Sequence, residues 1–303
     1  MSRPIARTFA LRSSERNRCT GKGSDPLRAA NHPAPTRLSR VSSRQLDSIL
    51  ADLSDHDQAV VSFLAEVRVA TGVQIARRLW GSTKPSDSKA SATRRALRRL
   101  EGWRVLDRLS RRMGGVRAGS ASIVYCLGPA GRRLRVRDGF DARRLTAPGD
   151  RYVRHTLAIT ELVVRLHEAD LAGDLDLIEL QTEPRCWRRF VGLMGARLTL
   201  KPDLFVRVGS GAFEDRWWIE VDLATEAGPT VLSKAKLYLS HFRAGEEQRR
   251  HGVYPRVVWA VPDERRAEQV ARALDDLSRG ARRLFSVWLY DEAVGRLAAE
   301  AQT

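Results

Sequence analysis

Cysteine is scarce. Cys19, Cys126 and Cys186 are the only three in 303 residues, far apart and outside any C-x-x-C or C-x-x-H grouping. That excludes a disulfide framework, lends no support to a zinc site, and makes a reducing cytoplasm the simplest compartment. Long apolar runs are missing too: nothing approaches the roughly 18 uninterrupted apolar residues of a membrane-spanning helix, so no membrane partner is expected. Acidic residues are in short supply, but only in one half. Residues 1–150 hold 30 Lys+Arg against 13 Asp+Glu, whereas residues 151–303 hold 23 against 23, so the first half carries the whole net charge of +17. With 43% hydrophobic residues the chain can build real cores, which excludes a wholly disordered polycation. A basic half joined to a neutral half is a sign of a nucleic-acid-binding portion attached to a portion with another task. Most of the cations are Arg, which suits bidentate phosphate and guanine contacts, although a GC-rich genome produces the same bias.

Residues 1–50 mix Arg, Ser and Pro without sustained apolar periodicity and read as a disordered basic arm, or as residues upstream of a misassigned start. The segment lacks the apolar core of a secretory signal. From there the pattern tightens into a unit spanning 51–137. Ser54 is a candidate N-cap, with Asp55 and Asp57 in the first turn of a helix whose Val60, Val61, Phe63, Leu64 and Val67 lie along one side. A second short helix fits Val73 to Trp80, and a third runs from about Ser88 to Trp103. At about 100° per residue, Arg94, Arg95, Arg98 and Arg99 share one arc of that third helix, while Ala96, Leu97, Leu100 and Trp103 share the other. A helix that packs on one side and presents guanidinium groups on the other suits the major groove. The basic run Val105 to Arg112, the glycine-bearing loop around Arg117 and the β-like run Ala121 to Leu127 then read as a hairpin wing, with Arg111, Arg112 and Arg117 reaching a phosphate backbone. The fold expected here is a winged helix-turn-helix binding double-stranded DNA. The alternative is that these arginines are simply a solvated face.

A linker over 138–150 leads to a second unit at 151–292, with a tail at 293–303. Its pattern is a helix from about Tyr152 to Leu171, strands at Leu175 to Gln181, Arg197 to Val208 and Arg216 to Leu223, a helix from about Thr230 to Glu246, then strand, helix and strand. That order predicts an α/β domain around a mixed sheet, and an α+β chain as a whole. Asp203 sits directly after Pro202 in the middle of the expected strand 197–208. Glu220 and Asp222, two apart on the next strand, leave the same face of the sheet. If those strands pair antiparallel, three carboxylates converge, and like charges so close imply a hard cation held by oxygen ligands, Mg²⁺ or Mn²⁺. Such an ion lowers the pKa of bound water and stabilises charge developing on a phosphate. The alternative is that the acids are neutralised structurally by arginines of the same half.

Pro202-Asp203 followed at a distance by Glu220-x-Asp222, within helix, three strands, helix, strand, resembles the PD-(D/E)XK restriction-endonuclease-like fold. More narrowly, a winged helix followed by a PD strand, the run EVDLATE and a lysine-bearing helix resembles the replication-relaxation family of actinobacterial and plasmid proteins, over roughly residues 50–280. That family is similar to mobilisation relaxases that nick plasmid DNA. The resemblance implies that Asp203 and Glu220 are the metal-binding acids, with Glu161 on the first helix as a further acid. Asp222 stands where the nuclease pattern has lysine, and Lys234 or Lys236 on the following helix would supply the missing cation. His155 falls where the family often has a histidine, although a lone histidine more often packs or caps. Tyr238 is a candidate nucleophile for strand transfer, against the commoner packing role of tyrosines on amphipathic helices. Trp217 and Trp218 alternate across a strand, so one is expected in the core. The functional expectation is a metal-dependent endonuclease or nickase of plasmid or mobile-element replication or mobilisation, acting at an origin and compatible with a homodimer. Its alternative is a catalytically inactive DNA-binding regulator or replication factor whose second half dimerises or recruits partners.

Overall fold

The computed structural model describes residues 41–80, 87–109, 123–141, 145–192, 195–210, 213–224 and 226–300. The first element is α1 (Ser43–Asp52), where Ser42 Oγ accepts a hydrogen bond from the Gln45 N–H at 3.1 Å and Leu46 and Ile49, three apart, are buried. Residues 43–50, expected within a basic arm, are therefore helical. A two-residue apolar stripe is too short to stand out from the Arg- and Ser-rich composition around it.

Helix α2 (Asp55–Val67) begins at Ser54 as expected. Ser54 Oγ accepts from the Asp57 N–H while Asp57 Oδ2 accepts from the Ser54 N–H at 3.1 Å, a reciprocal cap. A short strand β1 (Val69–Thr71), not anticipated, precedes α3 (Gly72–Trp80) and α4 (Asp87–Gly102), and then come β2 (Leu106–Arg108) and β3 (Val124–Leu127). Three residues are too few to show strand alternation in sequence. The three strands form an antiparallel sheet in the order β1-β3-β2, with Val69 opposite Cys126 and Leu106 opposite Leu127. The loop expected as the wing, with Arg111, Arg112 and Arg117, lies outside the described residues. Helix α5 (Pro129–Arg137) packs closely against the chain entering β2, because Gly131 has no side chain: a Cβ there would fall 2.3 Å from the Val105 carbonyl oxygen.

The second half opens with α6 (Asp150–Ala172), terminated by Gly173 at φ 78°. There follow β4 (Asp176–Thr182), β5 (Arg188–Val191), β6 (Arg197–Leu200), β7 (Leu204–Ser210), β8 (Phe213–Val221), α7 (Gly228–Ala244), α8 (Glu246–His251), β9 (Arg256–Val261), α9 (Glu264–Asp275), α10 (Arg279–Arg282), β10 (Phe285–Leu289) and α11 (Ala293–Glu300). The chain is a mixed α+β structure. Its main sheet runs β10-β9-β8-β7-β4, parallel across β8, β9 and β10 and antiparallel elsewhere. The expected single strand 197–208 is broken. Pro202 has no N–H to give a ladder, so β6 pairs with β5 in a separate two-stranded ribbon and β7 joins the main sheet. The segment 293–303, expected as a tail, begins with α11, whose Ala293 and Leu297 are buried.

Both faces of the main sheet are covered, so Trp217 and Trp218 are both fully buried rather than one alone. Trp217 and Ile219 join a cluster that continues through Leu162 and Ile159 of α6 to Val60 and Leu64 of α2. Trp218 joins Tyr238 of α7 and Leu274 of α9 on the other face. Among the described residues, no helix is long and apolar enough to cross a membrane.

Candidate functional site

Asp203 occupies the bend between β6 and β7 and not a mid-strand position, yet it remains buried, 7% exposed. The β7–β8 ladder pairs Leu204 with Ile219, so one step further along the register Asp203 faces Glu220, the penultimate residue of β8. Alternation along β8 puts Glu220 on the same side as Trp218, beneath α7. On α7, Lys234 and Tyr238 are four apart and share a helix face. Lys234 Nζ donates to Glu220 Oε2 at 3.2 Å, and the Tyr238 hydroxyl donates to Glu220 Oε1 at 2.5 Å. Lys234 also lies 2.9 Å from Glu226 Oε1. On Asp203, Oδ2 accepts from the Val221 N–H at 2.7 Å, and Oδ1 lies 3.1 Å from His155 Nε2 on α6.

Burial pushes the Glu220 carboxyl up to about 7; the Lys234 ammonium opposes that shift and Asp203 adds to it. Burial pulls Lys234 down, but the charges of Glu220, Asp203 and Glu226 outweigh it and hold the ammonium firmly protonated. For His155 burial again acts downward, and the hydrogen bond and charge of Asp203 reverse it, so the imidazole is raised above its ordinary value. Glu183, the first residue of the turn after β4, is raised by burial and by Asp203, against the pull of Arg68, which it meets at 2.9 Å. One locality thus holds His155, Glu183, Asp203, Glu220, Glu226 and Lys234.

Three of the expected site residues are not part of it. Asp222 lies just beyond β8, 4% exposed, with its Oδ2 held by Arg266 Nε at 3.1 Å and Nη2 at 2.5 Å, and its Oδ1 accepting from the Ala224 N–H at 2.7 Å. It is neutralised by an arginine of α9, as the structural alternative anticipated. Glu161 faces α3 instead, where it meets Arg77 Nη1 at 2.5 Å and Gln74 Nε2 at 3.0 Å. With Glu168, which also pairs with Arg77, it ties the two halves of the chain together. Lys236 is exposed, because two residues along a helix turn it about 200° away from Lys234. The expected trio of Asp203, Glu220 and Asp222 is therefore not assembled as a ligand set, and among the described residues no group of three His, Cys, Asp or Glu side chains is arranged to hold a metal. Of the three, Asp203 and Glu220 lie opposite one another at the end of the β7–β8 ladder, each oxygen already engaged within the protein. Tyr238 is fully buried, and burial together with Glu220 raises its hydroxyl far above the ordinary phenol range, which argues for support and against nucleophilic attack.

In the first half, Arg94, Arg95, Arg98 and Arg99 are all exposed on α4. Arg99 has another duty: its Nη2 donates to both oxygens of Asp57, at 2.8 and 2.6 Å, and the Asp57 side chain is wholly buried. Arg94 meets Ser91 Oγ at 2.9 Å, and Arg98 Nε meets the Arg94 carbonyl at 3.4 Å, so both remain at the surface. Residue spacing gave no sign of Arg266, which comes from 44 positions beyond Asp222, or of Glu183. Their roles follow from chain crossings that no local pattern encodes.

Fold and site together define an α+β protein with a helical, basic first half and an acid–lysine centre where β7 and β8 of a mixed sheet meet α7. The replication-relaxation family model matches residues 61–257, and the chain belongs to that family. Membership points to a role in replication or mobilisation. No curated protein and no solved structure matches the chain.

Proposed function

We propose that the protein binds double-stranded DNA of a plasmid or mobile element through its first half and cuts or nicks it at the site formed by Asp203, Glu220 and Lys234. The order α2, β1, α3, α4, β2, β3, with sheet order β1-β3-β2, supports a winged-helix reading in which α4 presents Arg94, Arg95 and Arg98 to the major groove. The observation that carries the second half of the proposal is the contact of Lys234 with Glu220, opposite Asp203. It supplies from α7 the cation that Asp222 fails to supply, giving two strand-end acids and a lysine.

In that arrangement Lys234 balances charge on a scissile phosphate, and His155, whose Nε2–H is held by Asp203 Oδ1, accepts a proton at Nδ1. A bound Mg²⁺ or Mn²⁺ would be held by Asp203 and Glu220, with water and DNA phosphate completing its shell, and would supply an activated water. The test is relaxation of supercoiled plasmid in Mg²⁺ or Mn²⁺. Asp203→Ala and Lys234→Met should abolish relaxation while DNA binding persists; relaxation by Asp203→Ala at the wild-type rate would remove the catalytic half of the proposal.

A second reading, a catalytically silent DNA-binding factor, is favoured by one observation. Every oxygen of Asp203 and Glu220 already has a partner inside the protein. It predicts that DNA affinity and biological activity both survive Glu220→Ala.

A further inference from the structure

The second half is electrically neutral as a whole, but its neutrality is uneven. The 19 residues from Pro184 to Pro202 contain Arg185, Arg188, Arg189, Arg197 and Lys201 and no acid at all. Within that stretch β5 and β6 build a ribbon that stands apart from the main sheet, its second strand ending at Leu200, three residues before Asp203. Its neck is pinned beside the site, because Cys186 Sγ contacts the Pro202 carbonyl at 3.0 Å and Glu183, just before the ribbon, feels the charges of Asp203 and His155.

Pairing and alternation sort the ribbon's side chains. Arg188 is opposite Leu200 and Phe190 opposite Leu198; Phe190 and Leu200 are buried in the cluster under α7, and Arg188 is drawn onto the buried Glu247 at 2.8 Å. Arg189 is opposite Thr199 and Val191 opposite Arg197, on the other face. Lys201 continues that outward alternation beyond Thr199, with its ammonium 4.9 Å from the centre of the Trp187 ring. Arg189, Arg197 and Lys201 are exposed, and among the described residues none of the three is ion-paired to an acid. Cations on one face of a two-stranded ribbon whose strands rise about 3.3 Å per residue, without counter-charge, make a poor packing surface and a good match to a polyanion.

We infer that the β5–β6 ribbon is a second DNA-contacting element, whose outward Arg189, Arg197 and Lys201 hold the phosphate backbone of the strand presented to Asp203 and Glu220. This rests on the DNA-processing reading above and names the element that positions its substrate. It also makes the basic first half insufficient for full binding: two separate phosphate-contacting surfaces, one around α4 and one on the ribbon, engage the same DNA.

The experiment is a salt titration of the full-length chain with a fluorescent mixed-sequence duplex, in EDTA so that no metal contributes. Each phosphate neutralised adds about 0.9 to the slope of log affinity against log salt. The triple variant Arg189→Ala/Arg197→Ala/Lys201→Ala should show a slope shallower by about 2 to 3 with its melting temperature unchanged. Arg189→Lys/Arg197→Lys, which keeps the charge, should retain the wild-type slope. An unchanged slope in the alanine variant overturns the inference, as does an equal loss in the lysine variant, which would mark a structural effect. Wild type that binds no DNA sinks the function proposed above and the ribbon with it. Wild type that shows ribbon-dependent binding yet never relaxes plasmid keeps the ribbon and removes only the cutting.

Discussion

Replacing Arg266 by Met separates two roles for Asp222. The side chains of Arg266 and Asp222 are 7% and 2% exposed, and their two contacts at 2.5 and 3.1 Å are the main compensation for a carboxylate taken out of water. Without the guanidinium, Asp222 keeps only the Ala224 N–H, and the Glu226 carbonyl loses the Nη2 donor that met it at 2.6 Å. Removing one partner of a buried pair costs about 3–5 kcal/mol, a large share of a total stability of about 5–15 kcal/mol. At a urea dependence of about 3 kcal/mol per M, the denaturation midpoint should fall by about 1 M or more. The double variant Asp222→Asn/Arg266→Met removes both charges at once and should recover most of that loss, giving a coupling of about 2 kcal/mol or more. Were Asp222 instead a metal ligand, Arg266→Met would release it to do that work, and added Mn²⁺ would restore the lost stability. A loss below about 1 kcal/mol, or rescue by Mn²⁺, refutes the structural role.

Glu220 makes stability depend on pH. Its folded carboxyl is raised from 4.5 to about 7, so the stability it contributes while neutral is fully present below about 4.5 and is lost as pH rises through about 7; Glu220→Gln should flatten the melting temperature across that window. Removing the opposing ammonium with Lys234→Met should steepen the loss, read by the same melts. On α4, Arg99→Ala should cost about 1–3 kcal/mol because it strands the buried Asp57, whereas Arg95→Ala should stay within about 0.5 kcal/mol of wild-type stability and weaken duplex binding; paired melts and DNA titrations distinguish them. Leu46→Ala in α1, at a side chain 1% exposed, should cost about 2–5 kcal/mol by chemical denaturation, and an effect below about 0.5 kcal/mol would place α1 outside the core.

What could be read in advance was what is encoded locally. Ser54 three residues before Asp57 is a cap with its own geometry, and the four arginines of α4 share a face because helical periodicity requires it; both are found where expected. Period-2 spacing set Glu220 and Asp222 on one side of an extended strand, but β8 ends at Val221, before Asp222, and spacing says nothing about which partner waits for either. Glu220 meets Lys234 from the next helix and Asp222 meets Arg266 from the one after, so two acids two residues apart receive opposite assignments. Glu161 shows the same limit. Its place on α6 was right, but the long helix lies between two units and Glu161 points to Arg77 of the first, not to Asp203 of the second. The basic first half drew attention because its charge is unbalanced in sum, while the ribbon of Arg189, Arg197 and Lys201 escaped it because acids elsewhere in the second half cancel its charge in any total. Charge acts over about a Debye length, roughly 8–10 Å, so a balance taken over 150 residues averages away the scale on which DNA would sense it. The acids that offset the ribbon in the sum are spent in pairs with Arg266, Lys234 and Arg77, and that leaves the ribbon's outward cations uncompensated next to Asp203.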